Sequence, residues 1–167
     1  MGNCNATTLT DSEKDARWRK YFADHRAASF PQIPQVTAAE LKKEMDEQKP
    51  LLLVDCRDKA EMSVSVIPGA ISKADFEAKR EKGEGKKIVC YCTIGYRSGL
   101  YVKELQKKGV DNAHNLAGSI LAWTHVDGTT LVDSAGKPTK ELHTYGRRWA
   151  LAPATYRCKW YTALGWT

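Results

Sequence analysis

The sequence predicts an α/β fold in which helices cover both faces of a parallel sheet. Two short runs, Leu51–Asp55 and Lys87–Tyr91, have the length and the mostly apolar character of strands that are buried on both faces. Each run is followed by a helical pattern, and strands that alternate with helices are typical of a parallel sheet. The 167 residues are enough for one domain with a sizeable core and too few for two domains of ordinary size.

Residues 1–36 are predicted to form an N-terminal extension with an amphipathic helix. Thr10 and Glu13 have the spacing of a capping box, which predicts a helix over residues 11–28. We expect the apolar stripe of this helix to pack on the domain. His25, which belongs to this stripe, is expected to be structural rather than catalytic. A linker that contains two prolines follows over residues 30–34. The stripe consists of Trp18, Tyr21, Phe22 and His25.

The remaining elements alternate along the chain as a parallel sheet requires. A second capping box, formed by Thr37 and Glu40, marks the start of the next helix. In chain order, the predicted elements besides the two strands above are a helix over 37–48, a helical turn around 58–64, a brief strand after the turn at 67–70, a weakly apolar helix over 75–81, a solvated loop over 81–87, a helix over 98–108, a strand over 111–116 and a helix that begins within 117–123.

Residues 92–98 directly follow the strand Lys87–Tyr91 and precede a predicted helix, which is an arrangement that makes a cysteine reactive. Backbone N–H groups of such a loop and the first turn of the helix favour a thiolate, so Cys92 is predicted to be an acidified nucleophile. Gly95 lets the chain bend, and Arg97 offers a forked cation to an oxyanion that reaches the sulfur. The candidate substrate- and anion-binding residues are Thr93, Ile94, Gly95, Tyr96, Arg97 and Ser98.

Residues 126–167 are predicted to be a basic, aromatic C-terminal extension that packs on the domain. The chain has a formal net charge of +6, and residues 136–167 contribute +5 through six basic residues and one acid. A solvated face is the preferred explanation of this charge, so no nucleic-acid partner is expected. The segment is also too aromatic to be freely disordered, with Trp149, Tyr156, Trp160, Tyr161 and Trp166.

The cysteine content favours a reducing compartment, and we expect the protein to be cytoplasmic. Five cysteines form no even framework, and the spacing of Cys90 and Cys92 is not that of a zinc site, so no metal is expected. No apolar run approaches the roughly 20 residues that span a bilayer. The alternative is a membrane anchor made by acylation of Gly2 and Cys4, although Ala6 stands where the myristoylation pattern usually has Ser or Thr.

Several separated motifs together resemble a single-domain rhodanese over residues 37–123. A strand ends in Asp55-Cys56-Arg57, Glu61 follows, and an Ile-Pro-Gly-Ala turn occupies residues 67–70. The active loop Cys-x-x-Gly-x-Arg-Ser is present at residues 92–98, and the closing motif Asn-Leu-x-Gly-Gly-x-x-x-Trp matches residues 115–123. The sequence departs from the family pattern in two places: Ser65-Val66 stands in place of Gly-His, and Ser119 in place of the second glycine.

The resemblance implies a rhodanese-like catalytic domain over residues 37–125, with a five-stranded parallel sheet between helices. It further implies a sulfurtransferase that needs no cofactor, in which Cys92 takes a sulfane sulfur from a small anionic donor such as thiosulfate. The Cys92 persulfide then passes this sulfur to a thiol or to cyanide. Asp55 and Arg57 are implied as supporting residues at the end of the neighbouring strand.

Two other classes of function remain open at this point. Phosphatases and arsenate reductases of the same fold resemble Cys-x5-Arg in their loop, one residue longer than the Cys-x4-Arg from Cys92 to Arg97. The longer ring takes a tetrahedral oxyanion, whereas the shorter ring encloses little more than one added sulfur, so sulfur transfer is preferred. The domain could also be a binding module that recruits a partner or a membrane.

Cys56 has two interpretations. Parallel strands would bring it to the same edge of the sheet as Cys92, where it could protect Cys92 from over-oxidation by forming a reversible disulfide. The alternative is that Cys56 is a small buried apolar residue.

Overall fold

The computed structural model describes residues 9–78, 85–162 and 165–166. The proposed acylation of Gly2 and Cys4 lies outside these residues, as do the predicted helix beyond Ala78 and the loop over 81–84. The described elements are, in chain order, α1 (Asp11–Ser29), β1 (Gln35–Val36), α2 (Ala38–Asp46), β2 (Leu51–Asp55), α3 (Lys59–Met62), β3 (Ile71–Ser72), α4 (Lys73–Ala78), β4 (Lys87–Tyr91), α5 (Tyr96–Lys107), β5 (Ala113–Leu116), α6 (Ser119–Thr124), β6 (Leu131–Val132), β7 (Pro138–Thr139), β8 (Glu141–His143), a 3-10 turn (Arg147–Trp149), β9 (Arg157–Lys159), β10 (Tyr161–Thr162) and β11 (Gly165–Trp166).

A five-stranded parallel sheet with the order β1-β5-β4-β2-β3 forms the centre of the fold and confirms the predicted α/β class. Strand β4 lies in the middle, with β2 and β5 paired to its two edges. Its residues Ile88, Val89, Cys90 and Tyr91 are fully buried, as expected for a strand with helices on both faces. The edge strand β1 comes from residues that the sequence pattern placed at the end of the N-terminal extension.

Local sequence signals explain where the helices begin. Both predicted capping boxes are present: the Thr10 and Thr37 hydroxyls each accept a hydrogen bond from the third N–H of their helix, and the glutamates there accept one from the threonine N–H. Helix α5 begins at Tyr96, two residues earlier than predicted. The reason is Gly95, whose φ of +100° turns the chain into the helix immediately after the cysteine loop.

Helix α1 lies against α5 and α6, so the N-terminal extension covers the helices that follow the two glycine-containing loops. Its Trp18 and Phe22 are buried, whereas Tyr21 and His25 are half-buried. The aromatic rings sit where glycine leaves room for them. A Cβ at Gly95 would lie 2.8 Å from the Phe22 ring, and a Cβ at Gly99 would lie 2.5 Å from the Phe30 ring.

The C-terminal extension forms short strand pairs that the sequence pattern did not predict. Strand β6 pairs with β7 and β10 with β11 in antiparallel fashion, while β8 pairs with β9 in parallel. The extension contacts the domain at Ser65 and Val66, where the sequence has a different pair in place of the Gly-His of the rhodanese pattern. The Ser65 hydroxyl donates to the Glu141 carbonyl at 2.7 Å, and Val66 forms a β-bridge with Val132.

Several basic side chains of this extension form ion pairs or cation–π contacts with other residues of the extension. Lys159 and Arg157 lie 2.7 Å and 3.8 Å from Glu141, and the Arg148 guanidinium lies 4.3 Å above the Trp149 ring. Within the part of the chain that the structure describes, no helix is both long and apolar enough to cross a membrane.

Candidate active site

Cys92 lies at the carboxyl end of the central strand β4, the edge at which open α/β sheets carry their chemistry. The residue is almost completely buried, with 1% of its surface exposed, at the floor of the loop over residues 92–98. Helix α5 starts four residues later, so its N-terminal end faces the loop. The chain thus presents one thiol to a confined space.

Three groups of the loop stabilise a negative charge on the Cys92 sulfur. The Gly95 N–H donates to Sγ at 3.2 Å, and the Ser98 hydroxyl lies 3.5 Å from Sγ. Burial acts to raise the pKa of Cys92, but the Arg97 guanidinium, the Ser98 hydroxyl and N–H, and the Gly95 N–H together hold that pKa below its ordinary value. The predicted acidified thiol therefore agrees with the geometry of the loop.

A buried hydrogen-bond network fixes Ser98 behind the sulfur. The Asn115 amide nitrogen donates to the Gly95 carbonyl at 3.1 Å, which turns its Oδ1 towards Ser98. The Ser98 hydroxyl donates to this Oδ1 at 2.7 Å, so its single proton points away from Cys92 and its lone pairs face Sγ. As the thiolate forms, the hydroxyl must rotate to donate to sulfur.

Arg97 is held by Glu61, a contact that the sequence pattern did not reveal. Its two terminal nitrogens donate to the two Glu61 carboxylate oxygens at 2.7 Å and 2.8 Å. Glu61 is fully buried, and although burial acts to raise its pKa, the Arg97 pair holds the pKa of this carboxyl below its usual value. The guanidinium is thus rigidly placed beside the loop, and its charge is largely balanced. Its predicted contact with an arriving anion stays a prediction.

Thr93 contacts the Arg97–Glu61 pair, whereas Asp55 and Arg57 pair with each other at the end of β2. The Thr93 hydroxyl lies 3.2 Å from both Glu61 Oε1 and Arg97 Nη2. Arg57 and Asp55 form a fully buried ion pair, and Arg57 Nη2 also donates to the Ser65 carbonyl at 2.6 Å. Asp55 and Arg57 thereby fix the chain that leaves β2 and make no hydrogen bond to Cys92.

A cavity of about 300 Å³ opens in front of Cys92, and both extensions line it. Besides loop residues, its walls contain His25 from α1 and Tyr145 and Trp149 from the C-terminal extension. His25 was expected to be purely structural, and the tail aromatics were predicted only to pack on the domain. No local sequence pattern identifies these residues. His25 and the two aromatic residues are more than 100 positions apart in the chain and meet only in the folded structure. The lining consists of His25, Cys92, Thr93, Ile94, Tyr96, Arg97, Tyr145 and Trp149.

A larger cavity of about 560 Å³ lies beside α1, and none of its lining residues belongs to the loop over residues 92–98. Among the described residues, no group of His, Cys, Asp and Glu side chains is arranged to hold a metal ion. In the smaller cavity, the Gly95 N–H and the Ser98 hydroxyl next to the Cys92 sulfur offer the chemistry of a stabilised thiolate.

Comparison with known sequences supports the resemblance seen in the motifs. The family model described as a rhodanese-like domain matches residues 37–125. An adenylyltransferase and sulfurtransferase, MOCS3-2 of Zea mays, is 32% identical over 61% of this chain and 24% of the maize protein. A tRNA uridine(34) hydroxylase of Burkholderia pseudomallei is 30% identical over 70% of this chain and 46% of that protein. The aligned part of the chain thus spans less than half the length of these two relatives.

Solved structures share the fold. Thiosulfate sulfurtransferase from Pseudomonas aeruginosa superposes with a TM-score of 0.56 at 21% identity, over 72% of this chain and 23% of that chain. The rhodanese-like domain of the Anabaena protein Alr3790 gives a TM-score of 0.53 at 21% identity, over 60% of this chain and 79% of that chain. At this level of identity, the likeness establishes the architecture of the sheet and its helices.

Proposed function

Because this chain belongs to the rhodanese-like family, we propose that it is a sulfurtransferase in which Cys92 carries the sulfur. The donor is thiosulfate or another small sulfane-sulfur compound, such as a persulfide or a polysulfide. The acceptor is a thiol, or cyanide in the test tube. The observation that carries the proposal is the buried Cys92 sulfur with the Gly95 N–H at 3.2 Å and the Ser98 hydroxyl at 3.5 Å.

The proposed reaction has two displacement steps. The Cys92 thiolate attacks the outer sulfur of thiosulfate, a sulfur–sulfur bond forms on Cys92, and the bond inside thiosulfate breaks so that sulfite leaves with the electron pair. An acceptor thiolate then attacks the outer sulfur of the Cys92 persulfide. Cys92 leaves as a thiolate, the acceptor becomes a persulfide, and the protein returns to its starting state.

The loop is suited to holding the charge of both anionic forms of Cys92. The Gly95 N–H is in place before the reaction, and a fixed donor of this kind stabilises charge without reorganising. The Ser98 hydroxyl becomes a second donor when it rotates from Asn115 to the sulfur. The Cys-x4-Arg ring is also one residue shorter than that of the phosphatases and arsenate reductases of this fold, which favours one added sulfur over a tetrahedral oxyanion. The described cysteines are all free thiols, which is compatible with the reducing, cytoplasmic setting that we propose.

Mass spectrometry of the intact protein tests this function. Incubation with thiosulfate is expected to add one sulfur atom to the wild type, with release of one sulfite, and to add none to Cys92→Ser. Cys158→Ser is the matched control, because this cysteine lies in the C-terminal extension, and it should still gain sulfur. Efficient hydrolysis of an aryl phosphate with no sulfur uptake from thiosulfate, polysulfide or a thiol persulfide would replace the proposal with the phosphatase alternative.

A further inference from the structure

We infer that the sulfur acceptor carries a small, uncharged aromatic body next to its thiol, and that His25, Tyr96, Tyr145 and Trp149 bind this body. The inference rests on the proposed sulfur transfer and names the acceptor class for it. We call these four residues the mouth rings. They line the cavity in front of Cys92, where the acceptor must bind to attack a persulfide on Cys92.

The mouth rings form an ordered wall. The His25 ring centre lies 4.9 Å from that of Tyr96 and 6.0 Å from that of Trp149, and Trp149 meets Tyr21 edge-on at 5.1 Å. These spacings lie within the range of favourable aromatic contacts, about 4.5–7 Å, so the rings hold one another in place. A preformed wall of this kind can bind a flat apolar group with little loss of side-chain freedom.

Two of the mouth rings present a large part of their surface to solvent beside the cavity. Tyr96 and Tyr145 are 38% and 50% exposed, and they are the large hydrophobic residues that are exposed among the described residues. Both line the same cavity rather than being scattered over the surface. Exposed aromatic area that gathers at one concave site indicates a binding surface.

The backbone at Tyr145 supports a functional role for its ring. Its φ of +64° lies in the left-handed region, where a bulky residue is strained. The conformation is held because the Tyr145 N–H donates to His143 Nδ1 at 3.1 Å and its carbonyl accepts from the Tyr161 N–H at 3.2 Å. Strain of this kind persists mainly where the resulting placement of a side chain is useful.

The charges around the cavity disfavour an acceptor that carries carboxylates. Both terminal nitrogens of Arg97 donate to Glu61, and the Asp58 carboxylate lies 3.8 Å from Arg97 as well. Arg148 stacks on Trp149 but is not among the residues that line the cavity. Among the described residues of the lining, Arg97 is the cation and it is already paired, so a charged thiol such as glutathione finds no uncommitted arginine or lysine there, whereas a neutral aryl thiol needs none.

The size of the cavity points to a small acceptor. Its volume of about 300 Å³ is at the lower end of ligand pockets, which span about 300–1,000 Å³. A single aromatic ring with a short arm to the thiol fits this space. Benzyl mercaptan is therefore a suitable probe of the proposed class, with glutathione as the anionic and cysteamine as the cationic comparison.

Acceptor kinetics of the full chain, with thiosulfate as the donor, test the inference. We expect the wild type to use benzyl mercaptan with a KM at least about tenfold lower than that for glutathione or cysteamine. In Trp149→Ala and Tyr145→Ala, the ratio of kcat/KM for benzyl mercaptan to kcat/KM for cyanide should fall about tenfold. Tyr156→Ala, an aromatic of the same extension that does not line this cavity, should leave the ratio unchanged. A preference for either charged thiol, or an unchanged ratio in both mouth-ring variants, overturns the inference.

A binding measurement separates this inference from the proposed function. Benzyl methyl sulfide cannot accept sulfur, so its binding to Cys92→Ser, measured by titration calorimetry, does not depend on any transfer. Binding that Trp149→Ala in the same background weakens about tenfold supports the aromatic site even if the wild type takes up no sulfur. Sulfur uptake without binding of the sulfide leaves the sulfurtransferase intact and removes the inference.

Discussion

The hydroxyl of Ser119 accepts a hydrogen bond from the backbone N–H of Cys92, with 3.0 Å between the two atoms. The same hydroxyl donates to the Leu116 carbonyl at 3.2 Å. Ser119 has a φ of +52°, in the left-handed region that a residue with a Cβ usually avoids, and it stands where the rhodanese motif has its second glycine. Ser119 thus keeps a strained backbone, and its hydroxyl supplies the hydrogen-bond partner of the buried Cys92 N–H.

Two variants of Ser119 should separate the strain from the hydrogen bond. Ser119→Ala keeps the strained backbone and leaves the buried Cys92 N–H without its partner, which costs about 1–3 kcal/mol. Ser119→Gly loses the same bond but relieves a left-handed strain of about 1–2 kcal/mol. We therefore expect the glycine variant to be the more stable of the two by roughly that relief, as measured by urea unfolding. Equal stabilities would show that Ser119 is unstrained.

The Arg97–Glu61 pair should show strong coupling. Arg97→Ala leaves the fully buried Glu61 carboxylate unpaired, and breaking a buried pair from one side costs about 3–5 kcal/mol of stability. It also removes the guanidinium that lowers the pKa of Cys92 and leaves an unbalanced negative charge next to Thr93 of the loop, so kcat/KM for thiosulfate should fall at least about a hundredfold. The double variant Arg97→Ala/Glu61→Gln removes that charge and should recover part of both losses. Additive losses in the double variant would argue against this account.

The lowered pKa of Cys92 fixes the direction of its pH dependence. Only the thiolate reacts, so alkylation by iodoacetamide should rise with pH and level off above the pKa of Cys92, which is lowered from the ordinary value of a free thiol. Ser98→Ala removes a donor that stabilises the thiolate and should move the midpoint to higher pH. Ser134→Ala, in an exposed turn, is the control. A Ser98→Ala midpoint at or below that of the wild type would contradict the assigned role.

The parts of the fold that were predicted from the sequence rest on local signals. The capping boxes at Thr37 and Thr10 act within three residues, and β2 and β4 are continuous, mostly apolar runs. The strands of the C-terminal extension are only two or three residues long, too short for any periodicity to show. These strands dock at Ser65 and Val66, which both depart from the family pattern, and the Ser65 hydroxyl makes a bond to Glu141 that a glycine could not make. No local sequence pattern predicts this contact.

The residues of the candidate site also fall into those that local sequence signals identify and those that they do not. Cys92 and its loop are contiguous in sequence, so the spacing of one motif identified them. Glu61 and His25 reach the site from other elements, and their roles depend on side-chain directions that a linear pattern does not contain. The motif also gave no sign of what Ser119 does, because its hydroxyl bonds to a residue 27 positions away.

Docking of α1 can be tested at Gly118. An alanine there is strained by the φ of +70°, and its Cβ would also collide with the Trp18 ring. Gly136 has a φ of +75° with no atom within 4 Å of the added Cβ, so Gly136→Ala measures the backbone strain alone. We expect Gly118→Ala to be less stable than Gly136→Ala by about 1–3 kcal/mol, the usual cost of overpacking. The two variants should lose equal stability if Trp18 is free to move aside.

The last prediction is that Cys56 does not protect Cys92 by forming a disulfide with it. In the register of β2 and β4, Val54 lies opposite Cys90, so Cys56 is on the Cys92 side of that pair, as the disulfide hypothesis requires. The thiol contact that Cys56 makes, however, is with Cys90. That contact, together with burial, raises the pKa of Cys56 well above its ordinary value. A resolving thiol attacks as a thiolate, and a protonated Cys56 is a poor attacker.

Mild peroxide should therefore convert Cys92 to sulfinic acid at the same rate in the wild type and in Cys56→Ser. Peptide mapping without reductant is the measurement. Cys158→Ser serves as the control for loss of an unrelated half-buried thiol. A Cys56–Cys92 disulfide peptide in the wild type, together with faster over-oxidation in Cys56→Ser, would restore the resolving role. It would also mean that the loop opens far enough for the two sulfurs to meet.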